Sequence, residues 1–139
     1  MNLTPFAEYL EVEGIACPGD DLFTNFMPSD APVKPTALLR SPLSGTSINQ
    51  YLPNYRRGSF QLVVRTPKNA YSDGLDFIEA ITTALSFTER QTIGSSVVYN
   101  VKQLFPLHDP VSFPSSDGGN MIELSVNFEA TYVIVPEDE

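Results

Sequence analysis

Side chains that carry chemistry are scarce in this sequence, which holds one cysteine, one histidine and eight bases against seventeen acids. The lone Cys17 excludes an internal disulfide framework and suits a reducing compartment. No apolar run approaches the ~18–20 residues that a membrane-spanning helix needs. Residues 1–30 carry Glu8, Glu11, Glu13, Asp20, Asp21 and Asp30 without one Lys or Arg, the reverse of a cationic secretory signal. These absences predict a soluble chain, cytosolic where it is made. His108 sits in a proline-bracketed loop, Pro106-Leu107-His108-Asp109-Pro110, and adjacent His and Asp seldom share one hydrogen-bond geometry. No serine elbow accompanies them, and Cys17 has no base near it in sequence. CxxC, HExxH and EF-hand spacings are all missing, and the glycines form neither a Walker loop nor a dinucleotide fingerprint. The expectation is therefore no catalytic residue, no metal and no cofactor.

What the chain has in surplus is negative charge, −9 in formal terms. All eight bases lie between Lys34 and Lys102, and half of them, Arg56, Arg57, Arg65 and Lys68, fall in one short stretch. Such a surface repels phosphate, which argues against sequence-specific nucleic-acid binding. Two readings stay open: plain solubility, or an acidic surface past which nucleic acid must move without sticking.

At 139 residues with 42% hydrophobic composition, one domain over 1–139 is expected, ending in an acidic tail at 136–139. Thr4 and Pro5 predict a helix over 4–13, stopped by Gly14. Apolar runs predict short strands at 22–27 and 36–40, separated by a proline-marked loop. Residues 41–57 lack any period and read as a long loop. Alternation at 59–66 predicts a strand with Phe60, Leu62 and Val64 on one side and Gln61, Val63 and Arg65 on the other. Ser72, Asp73 and Asp76 open a helix over 73–87, with Leu75, Ile78, Ile81, Thr82 and Leu85 as its buried stripe. Strands are predicted at 96–105 and 121–135, joined through a turn at 115–120. The last strand alternates apolar Ile122 through Ile134 with polar Glu123 through Thr131. The fold class is thus α+β, in the order α-β-β-β-α-β-β. Two helices pack on one face of a mostly antiparallel sheet of four to five strands.

Interaction features outnumber chemical ones. Tyr51, Tyr55, Arg56 and Arg57 are residue types enriched at interface hot spots, and they close the long loop. Arg65 can pair with Glu123 or Glu129 on a neighbouring strand, or cross a subunit boundary. With Lys68 these eight residues form the candidate interface set. A strand as long as the last one can offer an edge to a neighbour.

The stretch Leu52-Pro53-Asn54-Tyr55-Arg56-Arg57-Gly58-Ser59-Phe60-Gln61-Leu62-Val63-Val64-Arg65 resembles the central segment of phage tail terminator proteins. Ala70 and the helix bearing Ile78, Ile81 and Leu85 continue the pattern, although Pro53-Asn54 stands where Pro-Gly would be expected. The resemblance implies a structural virion protein, assembled in the bacterial cytoplasm, that forms a ring (typically a homohexamer) on the tail tube. Such a ring stops tube polymerisation and joins the tail to head-completion or neck proteins, and DNA passes through it as cargo. Loop 41–57 with Arg56, Arg57 and Arg65 would then serve assembly. Another neck or head-completion subunit, a non-viral binding module using strand addition, and a small hydrolase using Cys17 or His108 remain as alternatives.

Overall fold

The computed structural model describes residues 1–25, 34–41, 46–114 and 121–136. Its elements run α1 (Thr4–Val12), β1 (Leu22–Thr24), β2 (Thr36–Arg40), β3 (Ser47–Asn49), β4 (Leu52–Pro67), α2 (Tyr71–Ala84), β5 (Gln91–Ile93), β6 (Val98–Pro106), β7 (Val111–Pro114) and β8 (Met121–Val135). A short 3-10 turn, Lys68–Ala70, leads into α2.

Two long strands make the centre. β4 and β8 pair antiparallel from Tyr55↔Val133 to Pro67↔Met121. Each carries two shorter segments laid end to end along its other edge: β2 and β3 on β4, β6 and β7 on β8. β1 and β5 complete the strand order β1-β2-β4-β8-β6-β5. The fold is α+β with two helices, as expected, but the sheet is larger and mixed. Among the described residues it has eight strands, and β1 runs parallel to β2. The three unforeseen strands, β3, β5 and β7, are too short to show a period in sequence. They form because a long neighbour leaves a row of unpaired N–H and C=O groups beside them. For the same reason the expected loop 41–57 is in its second part a hairpin, and the strand expected at 59–66 begins at Leu52.

The break between β6 and β7 is spliced by side chain as well as backbone. Leu107 N–H donates to Asn127 O at 2.8 Å. Asn127 N–H, left without a ladder partner there, donates to His108 Nε2 at 3.2 Å. The ring's other nitrogen, Nδ1, then carries the proton and donates to Asp109 O at 2.7 Å. His108 is thus tied to backbone atoms rather than to the Asp109 carboxylate.

Both helices share one hydrophobic core with the inner face of the sheet. Leu3, Phe6 and Leu10 of the α1 region and Ile78, Ile81 and Leu85 of the α2 region meet Phe60, Leu62, Val64, Val126 and Phe128. Phe60 and Phe128, directly opposite in the ladder, stack with ring centroids 5.2 Å apart, and Phe6 adds a tilted ring 4.9 Å from Phe60. Helix α1 touches both β1 and β5, the two ends of the strand order, so the sheet curls far enough for one helix to bridge its edges. α2 approaches β4 closely at Gly74, where a Cβ would lie 2.7 Å from Thr66 Cβ. Thr66, fully buried there, donates its hydroxyl to Ala70 O at 3.1 Å.

Helix ends follow the sequence in part. Gly14, with φ +73°, closes α1. Its N–H donates to Glu11 O, and Ile15 N–H donates to Leu10 O, a double closure that satisfies the last carbonyls. The expected Thr4 cap is displaced. Thr4 lies inside the helix, and Asn2 Oδ1 accepts its N–H at 3.0 Å. Ser72 does not cap α2 either, because the 3-10 turn starts the chain winding before it is reached. The expected end at 87 moves back to Ala84.

The alternation predicted for 121–135 holds on the inner face, where Leu124, Val126, Phe128, Ala130 and Tyr132 are buried. The outer face is less wet than expected. Leu38, Val63 and Ser125 stand side by side in the ladder, and all are buried. These short side chains sit between longer pairs two residues away on either side, Arg65–Glu123 and Arg40–Gln61. Residues 26–27 of the first expected strand, the proline-marked loop at 28–33, the 115–120 turn and positions 137–139 of the tail lie outside the described residues.

Candidate subunit interface

The interface residues expected from sequence lie toward two ends of the long central pair. Tyr51 stands at the tip of the β3–β4 hairpin, and Tyr55, Arg56 and Arg57 follow on β4 with Glu129 nearby on β8. Arg65, Lys68 and Glu123 lie near the other end. Twelve residues of extended chain lie between Tyr55 and Lys68, roughly 40 Å at strand rise. They do not form one patch.

Their side chains are also put to different uses. Arg57 reaches diagonally across to Glu129, with Nη2 at 2.8 Å. Arg65 pairs with Glu123 directly opposite it, at 3.0 Å, and both are mostly covered. These two ion pairs tie β4 to β8 within the chain. Arg56 points to the inner side, opposite Tyr132, and its Nη1 donates to Tyr55 O at 3.2 Å. Lys68 is exposed in the 3-10 turn.

The inner side of the hairpin end is closed by a polar chain. Tyr99 donates its hydroxyl to Asn2 O at 2.8 Å, so toward Tyr132 it can only accept. Burial raises the pKa of both phenols, and Tyr132 is raised further by Tyr99 beside it. Thr46 hydrogen-bonds Tyr132 from the start of the hairpin. Gly58 leaves room for this closure, since a Cβ there would lie 2.9 Å from Thr46 Cγ2 and 3.0 Å from Met1 Cε.

The tip of the same end is exposed. Ile48, Tyr51 and Leu52 expose 65%, 82% and 56% of their surface. Next to them is a groove of about 360 Å³ lined by Leu52, Asn54, Tyr55, Lys102 and Val133. Tyr55 and Val133 are ladder partners on the outer face. Lys102 reaches the groove through a β-bulge. β6 pairs Val101 with Tyr132 and Gln103 with Thr131, leaving Lys102 as the extra residue. Bulges of this kind re-aim a side chain at sheet edges and functional sites. No described carboxylate pairs with Lys102. Sequence reasoning did not single out Lys102 or Val133, whereas Asn54 falls within the loop 41–57 that it did. The signal for Lys102 was legible: inward residues Tyr99 and Val101 are two apart, while the next, Leu104, follows after three.

Cys17 is exposed, and its N–H donates to Asp21 Oδ1 at 2.6 Å, while Asp20 holds Lys34 Nζ at 2.8 Å. Among the described residues no group of three or more His, Cys, Asp or Glu could hold a metal ion. No described helix is long and apolar enough to cross a membrane.

A family model described as bacteriophage tail terminator protein matches residues 9–134. No curated protein sequence matches the chain. Among solved structures, a chain in the virion of a native gene transfer agent particle superposes with a TM-score of 0.57 at 12% identity, covering 91% of this chain and 85% of that one. At that identity the likeness concerns the fold.

Proposed function

This chain belongs to the bacteriophage tail terminator family and is thereby a phage structural protein; from that membership we propose that it forms a homohexameric ring. The ring caps the tail tube, stops its polymerisation and joins the tail to the head-completion or neck proteins. The observation that carries the reading is the family match, which runs from α1 almost to the end of β8 and so takes in nearly the whole described fold.

The geometry supports it in two ways. A ring needs heterologous contacts, one patch on each copy meeting a different patch on the next. The exposed hairpin tip and the outer-face groove supply apolar surface of the kind such contacts bury. The surplus of negative charge suits a passage for DNA, because like charge keeps phosphate from adhering.

Negative-stain microscopy of the purified protein, alone and mixed with assembling tail-tube subunits, tests the proposal. Closed rings and tubes of arrested length are expected. A strictly monomeric protein that leaves tube growth unchanged overturns the reading.

A further inference from the structure

We propose that the outer-face groove beside Lys102 receives the end of helix α1 from a second copy of the chain. Val12 sits against Leu52, Tyr55 and Val133, and Glu11 and Glu13 face Lys102. The proposal rests on the ring reading above and names the two halves of its seam.

The first half is a knob. Val12 exposes 81% of its surface, more than any other large aliphatic residue described, and it stands between two exposed glutamates. A helix C-terminus carries about half a negative charge and favours cations. Yet α1 has no base in its last turn, and Glu11 and Glu13 add carboxylates there. Such an arrangement is locally unfavourable, the kind of conflict that marks a functional surface. It is relieved when a cation arrives from outside. The closure at Gly14 holds this end in one conformation, so little freedom is lost on docking.

The second half is the groove, with apolar walls, room for a valine side chain, and a lysine that no described carboxylate engages. Charge and shape are therefore complementary. α1 packs on the inner face of the sheet, while Tyr55 and Val133 line the groove from the outer face, so the two halves are different patches of one copy. The contact is heterologous, as a ring requires.

Charge reversal on each side, singly and together, tests the seam. Glu11→Lys with Glu13→Lys, and separately Lys102→Glu, should each lower the fraction of protein in rings about tenfold, as like charges meet. Combining all three should restore most of it. Melting curves check that each variant folds; if a reversal melts early, Lys102→Gln and Glu13→Gln replace it, each again lowering the ring fraction. Rings in the wild type with no rescue in the combination overturn the seam and leave the ring reading standing. Absence of rings in the wild type overturns both. Removing residues 137–139, the acidic segment that follows β8, should leave the ring fraction unchanged. A loss there assigns the groove to that segment and overturns the proposal.

Discussion

Tyr99 and Tyr132 place two phenols in the core, with ring centroids 4.3 Å apart, and so link stability to alkaline pH. Unfolded, each titrates near 10.0; folded, burial holds both protons more tightly. Above that pH the unfolded chain releases protons that the folded chain keeps. The contribution is complete below about pH 10 and is lost as pH rises further. Tyr132→Phe should therefore flatten the fall in melting temperature between about pH 9.5 and 11 relative to wild type. Thermal melts across that range check it, and an unchanged slope would place the alkaline sensitivity in other groups. The inward position of Tyr132 was legible from the alternation of the last strand. Its partners were not, because Tyr99 donates to a carbonyl 97 residues away in sequence. The same distance hid the partner of Arg57, 72 residues away, whereas the pairing of Arg65 with Glu123, 58 residues away, was one of the alternatives its strand position offered.

At the scale of elements, β6 shows how one residue sets a surface without disturbing the core. Val101 and Leu104 both point inward because Lys102 is surplus to the ladder. Deleting Lys102 should leave a regular strand with every inward residue in place. Deleting Asn100 should instead turn Tyr99 outward or drag β6 out of register. The Lys102 deletion is thus expected to melt within a few degrees of wild type, a shift of about 1 kcal/mol or less. The Asn100 deletion should melt far lower. Equal losses from both would mean the bulge itself is required for folding. The long alternating strands and the amphipathic α2 were readable because their period repeats many times. Three-residue strands such as β3 and β5 show no period, and only the edges of β4 and β6 decide that they form.

For the whole molecule, charge is unevenly spread: acids crowd the N-terminal region, and the bases lie in the middle of the chain. If copies meet acid to base, the assembly weakens as salt screens them. Raising ionic strength from about 0.05 to 0.5 M shortens the Debye length roughly threefold. The ring fraction should fall, as read by light scattering at fixed protein concentration. A ring population that grows with salt would point to a seam held by apolar contact alone. The curl of the sheet matters at this scale as well. With α1 bridging β1 and β5, the inner face is filled, and among the described residues Ile48, Tyr51 and Leu52 at the hairpin end stay exposed.

Sequence by itself determined the α+β class, the helices, the long strands and the inward-facing residues, because these follow from local periodicity and from glycine and proline geometry. It also carried the family, through the segment 52–65 and the helix that follows. Tertiary structure alone decided which charges are spent inside the chain and which remain at its surface. It also decided that part of a supposed loop is a hairpin, and that Lys102 stands beside an apolar groove. Those outcomes depend on strands distant in sequence meeting in a particular register, which no local pattern encodes.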